Sequence, residues 1–368
     1  MNPTQERSEL VLDPSHPLTH GSVEFRISLD DHRIAALDVA VGFLHRGFEK
    51  ECEAGGFARA IAYTDRLNYH SATLSSTAYC LAVETLLGVV PSDRAVWLRM
   101  LAGELARVAD HSTRLAATCD ALCFPAAAAS AIAASENVWD LLEALSGARV
   151  THHYLRIGGV RGDLPEGFAE FAAERAAACQ SDIAELERLT SRNRVFSDRL
   201  ANGATIDSDT CARFSITGPI LRAAGVPADL RKDEPYLAYD ELDFDVPVGS
   251  VGDNCDRYLV CVEEMHQSLR IAEQCLARLA EMPTAPEVAF LEGTEVPAGQ
   301  CYSAIESANG ELGFFVVSTG GVVPYKVRCR APSFFHVAAL PEMLRGEDLE
   351  ELAPTYELIN AVSGECDR

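Results

Sequence analysis

The sequence predicts a mainly α-helical protein with small β regions, an α+β fold. Apolar residues recur at three- and four-residue steps through 72–87, 93–119, 126–145, 166–192 and 253–281, the period of helices that bury a face. Strand-like runs are confined to two regions, 22–42 and 303–334. With 368 residues and 48% hydrophobic content the chain can build a large core. These signals divide it into an N-terminal arm and β-hairpin (1–43), a helical core (44–283) carrying a long wrapping loop at 203–252, and a C-terminal β and loop region (284–368) packed on that core.

In chain order, residues 1–14 read as a polar arm with little to pack. The segment 14–21 is a loop whose two prolines, Pro14 and Pro17, limit its conformations. Val23, Phe25, Ile27 and Leu29 alternate with polar residues, and Asp30-Asp31-His32 separates them from 34–42, a hairpin pattern. Within 59–88 the second half is helical: Leu74, Ala78, Leu81, Ala82 and Leu86 keep the period, Ser71 can cap the start and Gly88 can stop the end. The first half is a dense polar cluster of Tyr63, Asp65, Arg66, Asn68, Tyr69 and His70 immediately before a buried helix, where polar groups are costly unless paired or used. A long helix starts at Pro91-Ser92-Asp93 and runs to about Cys119, with Glu104, Arg107, Asp110 and Arg114 available for pairing. Glycines around a His-His-Tyr-x-Arg cluster break the pattern at 147–165. The stretch 217–252 is irregular and rich in charge and proline, as in a loop that wraps an interface or covers a site.

Composition excludes several classes. The net charge is −24, with only three lysines (Lys50, Lys232, Lys326) among 31 basic residues, so no basic surface for nucleic acid is visible. The longest low-polarity run, 123–134, is too short and Ala-rich for a membrane span, and the first residues carry no signal-peptide pattern. This points to a cytoplasmic protein or one peripheral on a cytoplasmic membrane face. The twelve cysteines are scattered with no pair separated by two residues, so most read as buried small hydrophobes; only Cys119 and Cys123, four apart, keep a metal or redox reading open. No glycine-rich nucleotide loop follows a strand and no cluster-binding cysteine set exists, so no electron carrier of the chain's own is visible.

Eight ordered motifs then carry a resemblance: Pro14-x-His16-Pro17-x-Thr19-His20-Gly21, Leu44-His45-Arg46-Gly47-Phe48-Glu49-Lys50, Tyr63-Thr64-Asp65-Arg66-Leu67-x-Tyr69, 81–88, Arg156-x-Gly158-Gly159-Val160, Thr217-Gly218-Pro219, Leu230 to Tyr236 and Arg330 to Phe334. From about Pro14 to the last residue the chain resembles the D subunit of NADH-quinone oxidoreductase, respiratory complex I. That family is related to the large subunit of nickel-iron hydrogenases, which implies a helical core of that type. Hydrogenases hold their metal with Cys-x-x-Cys pairs, since soft thiolates suit nickel and iron. The corresponding regions, 65–70 and 360–368, contain no such pair, so the resemblance implies a vacated metal pocket.

In the family that pocket holds a quinone headgroup. The resemblance assigns Tyr69 and His20 as its hydrogen-bonding partners and Asp120 as the acid paired with the imidazole. The chemistry stands on its own terms. Reducing a quinone takes two electrons and two protons, so each carbonyl oxygen needs a donor that polarises it and delivers or relays a proton. A carboxylate beside the imidazole fixes its tautomer and improves it as a proton reservoir. His16, Arg46, Arg66, Arg156 and Arg231 rank second, as groups of the pocket or of an interface near an iron-sulfur cluster.

By resemblance, a [4Fe-4S] cluster sits on a neighbouring B-type iron-sulfur protein, and NADH and FMN belong to more distant partners. Further neighbours implied are the membrane arm and the C subunit. No metal is expected on this chain. Departures from the family pattern are Thr151 for a histidine that tunes the cluster, Ser75 and Ser76 for an Asn-Glu pair, 133–135 for a charged run, Cys261 and His266 for arginines, and Asn360 for an aspartate. Between Leu279 and Gly299 the chain is shorter than its relatives and reads as lacking a helix. The pattern is that of a diverged second copy, either a working quinone-site protein or a non-catalytic scaffold that docks B-type iron-sulfur partners.

Overall fold

The computed structural model describes residues 8–20, 23–284 and 293–368. Three small antiparallel sheets decorate a helical body. The first combines β1 (Ser8–Leu12), β2 (Glu24–Asp30) and β3 (Arg33–Ala40), with Asp31 in the left-handed region at the hairpin tip. The expected hairpin is therefore present. Residues 8–12 correct the expectation of an unpacked arm: they pair along β2, with Leu10 opposite Ile27.

The body begins with α1 (Phe48–Ala54), α2 (Ile61–Thr64) and α3 (Ala72–Leu87), followed by α4 (Asp93–Ala121) and α5 (Pro125–Ser146). A two-stranded hairpin, β4 (Leu155–Arg156) and β5 (Gly159–Val160), precedes α6 (Phe168–Thr190) and α7 (Arg194–Leu200). The 203–252 stretch wraps the body with three short helices, α8 (Ser208–Arg213), α9 (Pro219–Ala223) and α10 (Leu230–Asp233). It is followed by α11 (Asn254–Glu281). The missing-helix expectation for 279–299 falls in part, at 285–292, on residues outside the described ones; the described residues between Met282 and Gly299 contain no helix. The C-terminal sheet has the order β6 (Gly299–Ser307), β7 (Gly310–Ser318), β8 (Lys326–Arg330). Three helices not foreseen as such then close the chain: α12 (Pro332–Met343), α13 (Leu352–Ile359) and α14 (Ser363–Cys366).

Helix α3 lies between α4 and the C-terminal sheet, so 12 of its 16 residues are buried and a one-sided apolar stripe does not describe it. Tyr79 meets Phe314 of β7 edge-on at 5.5 Å, while Leu74 packs so close to Gly103 of α4 that a Cβ there would lie 3.1 Å from it. Polar groups inside need partners, and two hydroxyls of α3 find theirs on neighbouring segments: Thr73 donates to the Ala102 carbonyl and Ser76 to Asp65. Ser71 does not cap α3 with its side chain; its hydroxyl reaches Asp110 of α4 instead, at 2.9 Å.

Charged residues of α4 form the polar interior. Arg99 makes a two-pronged pair with Glu84 of α3, and the N–H of Gly158 donates to the same carboxylate at 2.6 Å, fastening the β4–β5 hairpin. Glu104 collects Arg107, Arg231 and the hydroxyls of Tyr239 and Ser268. Arg231 also meets Asp229 at 2.7 Å, and Arg222 joins Glu264 and Glu306 at 2.7 and 2.8 Å. Arg231 is thus corrected: it is sealed in the core, where it ties the wrapping loop to α4, and it lines neither a pocket nor a surface. No helix among the described residues is long and apolar enough to cross a membrane.

Candidate functional site

A cavity of about 340 Å³ opens between the loop before β2, the α2–α3 turn, α4 and the α13–α14 turn. His20, Tyr69, His70, Arg114, Tyr356 and Asn360 are among its walls. Two of these are the quinone-facing pair that the resemblance implies, and they come from segments 49 residues apart in sequence.

His20 is placed by a rigid loop. Pro17–Thr19 forms one short 3-10 turn; the Nδ1 of His16 accepts the N–H of Leu18, and the buried Thr19 hydroxyl donates to the His16 carbonyl at 2.7 Å. The chain leaves this turn with His20 in the left-handed region, and its ring stacks on Tyr356 at 6.2 Å. The Nε2 atom of His20 lies 2.8 Å from Glu357 Oε1, and this carboxylate raises the imidazole's proton affinity above its ordinary value. His16 itself is exposed and acts as the turn's cap, outside the cavity walls.

Tyr69 sits on a tight turn between α2 and α3, within the polar cluster. Asn68 organises it: its Oδ1 accepts the N–H of His70 and of Ser71, and its Nδ2 donates to Asp110 at 2.7 Å. The opposite side is set by Gly364, where a Cβ would come within 2.5 Å of the Arg66 and Leu67 carbonyl oxygens, so only glycine lets the C-terminal turn close against this wall. Desolvation pushes the Tyr69 hydroxyl above the usual phenol range, which keeps it protonated and able to donate.

Asp120 is corrected by the geometry. It is exposed in the last turn of α4, one helical turn beyond the cavity-lining Ala117, while the acid at His20 is Glu357. The separation of 337 residues between His20 and Glu357 left no sequence signal for that pair. His70, Arg114 and Asp110 are further groups of the site that the family pattern does not assign. Asp110 is fully buried under the cavity and accepts from Asn68, Ser71 and Asn360. Burial alone would raise its pKa, but Arg114, His70, His111 and the Ser71 hydroxyl outweigh that and hold it below the ordinary carboxylate range.

The remaining arginines lie elsewhere. Arg46 and Arg66, with Phe48, Glu51 and Tyr63, line a separate surface hollow of about 410 Å³, and Arg46 donates to the Arg66 carbonyl at 2.8 Å. Arg156 donates to the His153 and Leu155 carbonyls beside the β4–β5 hairpin. Near it, the buried Asp65 accepts the His153 N–H at 2.7 Å, and desolvation lifts its carboxyl to about 6. His152, next to Thr151, is turned inward and held neutral by burial at about 4, whereas His153 is half-exposed. The cysteines are all free; Cys119 is buried and Cys123 exposed, and no cluster of metal-ligating side chains exists among the described residues.

Fold and cavity together define a helical protein with a cavity walled by a phenol and an imidazole–carboxylate pair. The family described as respiratory-chain NADH dehydrogenase, 49 kDa subunit, matches residues 126–368. The chain is 42% identical over 383 residues to the NADH-quinone oxidoreductase D subunit 1 of Anaeromyxobacter dehalogenans, covering 97% of this chain and 88% of that one. It is 39% identical to the D subunit of Myxococcus xanthus, covering 99% and 93%, and 38% identical to the C/D subunit 1 of Aquifex aeolicus, covering 99% and 64%. The chain belongs to this family, the D or 49 kDa subunits of NADH-quinone oxidoreductases, and is a subunit of an oxidoreductase complex.

Proposed function

We propose that this chain is the quinone-binding subunit of the peripheral arm of an NADH-quinone oxidoreductase, seated at the cytoplasmic face of the membrane, with quinone reduction coupled to proton translocation. One observation carries the reading: Tyr69 and His20 face one cavity of about 340 Å³, with a carboxylate 2.8 Å from the imidazole. A quinone ring in that space meets a phenol O–H and an imidazole N–H. Both donors gain strength as negative charge develops on the carbonyl oxygens, which is where catalysis by hydrogen bonding acts. Glu357 keeps a proton on His20 until it is needed. Electrons come from a [4Fe-4S] cluster on a B-type iron-sulfur partner, with NADH and FMN further upstream. The remaining neighbours are the membrane arm and the C subunit, and the C/D name of the Aquifex aeolicus relative supports the latter.

The test is quinone reduction, with NADH and with an artificial donor, in membranes whose only D subunit is this chain. Tyr69→Phe and His20→Ala are each expected to lower turnover by about 10²-fold or more while the complex still assembles. A wild-type complex that assembles but is as inactive as the variants would make the chain a non-catalytic scaffold.

A further inference from the structure

His70 stands in the same cavity wall as Tyr69 and His20, and no role described so far uses it. Its ring meets Tyr69 edge-on at 6.2 Å and lies 6.5 Å from Trp139 of α5, and its backbone N–H donates to Asn68 Oδ1. The Nδ1 atom is covered and has no hydrogen-bond partner among the described residues, which leaves the Nε2 edge as the one the ring can offer a ligand. A bound molecule that meets the Nε2 edge gives this desolvated ring its hydrogen bond. Beneath the wall lies Asp110, an ionised carboxylate anchored by Asn68, Ser71 and Asn360. The cavity thus has two imidazoles with a carboxylate behind each: His20 in direct contact with Glu357, and His70 in the field of Asp110.

Resting on the quinone reading above, we propose that His70, backed by the fixed charge of Asp110, is the second proton store of the site. Two protons are consumed for each quinone reduced, and each imidazole supplies one. As electrons arrive from the one-electron iron-sulfur donor, the negative charge on the quinone oxygen favours protonation of His70 from solvent. Its imidazolium N–H bond then breaks as the quinol O–H bond forms, directly or through the Tyr69 hydroxyl, and the ring returns to neutral. Asp110 stabilises the imidazolium in a desolvated wall. Desolvation otherwise pulls the His70 pKa below its ordinary value, Asp110 opposes this, and Arg114 on α4 and His20 in the entry loop add to it. The α5 neighbour, Trp139, carries no charge.

The experiment is the pH profile of quinone reduction in the assembled complex carrying His70→Gln, with NADH-ferricyanide activity as the assembly control. The expected result is a kcat about tenfold lower with KM for quinone within twofold, an alkaline limb that loses the His70 component and shifts to higher pH, where His20 with its raised proton affinity sets it, and partial recovery on adding imidazole as a small diffusible acid. Asp110→Asn keeps His70 but removes the charge that supports its imidazolium, so it moves the limb to lower pH, and it provides the test if glutamine at position 70 blocks assembly. A profile superimposable on wild type, or a change in KM alone, overturns the proposal. If Tyr69→Phe and His20→Ala abolish turnover while His70→Gln does not, only this inference fails. A wild-type complex that reduces no quinone takes the quinone reading down with it.

Discussion

Two polar regions lie within one helix length of each other along α4, and they use their polar side chains to opposite ends. Around Glu104, Arg231, Asp229, Arg222 and Glu264, each guanidinium meets at least one carboxylate and all five groups are sealed from solvent. Around His20, Tyr69, His70 and Arg114, polar side chains line a cavity of about 340 Å³ in place of closing on one another. Charges closed on one another hold the fold together, because the geometry that satisfies them leaves nothing to offer a ligand. Groups left open in a wall mark the place where a ligand completes them. Burial and charge alone do not separate structure from site; the state of pairing does.

The largest effect is expected from opening the sealed region. In Glu104→Ala, Arg107 and Arg231 lose their shared carboxylate, and Tyr239 and Ser268 lose their acceptor. Removing one partner of such a buried set costs roughly 3–5 kcal/mol. Most of a domain's stability is at stake, so the variant protein is expected to be missing from the assembled complex when its abundance is measured by immunoblot at growth temperature. A variant that accumulates and assembles normally breaks the distinction between the two regions.

The same distinction explains how much was legible in the residues. Long helices are written as a period in one stretch of chain, so α4, α5, α6 and α11 could be placed within about three residues of their observed ends. Helices α12 to α14 were not, because Pro332 and Pro341 interrupt the pattern and α13 has only eight residues. Strand β1 has only five residues, with Leu10 and Leu12 half-buried against the core and Ser8, Glu9 and Val11 exposed, so little in its sequence set it apart from a polar arm. Tyr69 and His20 were legible through the motifs around them. Glu357 was not, since its role depends on a contact closed across 337 residues. Arg231 resembled a site residue for the reason charged residues often do: nothing local reveals whether a partner waits in the fold.

Glu365 lies between the two classes and sharpens the comparison. It is fully buried two residues beyond the cavity-lining Ser363, accepts from the Ser333 hydroxyl at 2.5 Å and N–H at 3.1 Å, and leaves Oε1 unpartnered. Desolvation raises its pKa from 4.5 to about 7. Between those values the folded state keeps a proton that the unfolded state has released, so unfolding gives off a proton and stability falls as pH rises through the window. At about 1.4 kcal/mol per pH unit the full cost is on the order of 3 kcal/mol above pH 7. Glu365→Gln removes this slope. The difference in melting temperature, variant minus wild type, is therefore expected to grow from pH 5 to pH 8 in the assembled complex. A constant difference would place Glu365 with the sealed charges.

The smallest effect separates two candidate acids at His20. Asp120 lies three residues past Ala117, about 4.5 Å further along the axis of α4, exposed to solvent, where an uncharged replacement changes stability by no more than about 0.5 kcal/mol. Glu357 is within hydrogen-bond distance of the imidazole and sustains its proton affinity. Asp120→Asn is accordingly expected to leave quinone reduction within about twofold of wild type across pH 6–8. Glu357→Gln is expected to lower it about tenfold, most at the alkaline end, because an imidazole without its carboxylate gives up its proton at lower pH. The reverse ranking would mean that the helix end swings onto His20 in the complete assembly, and that pairing read from the isolated chain misassigns the acid.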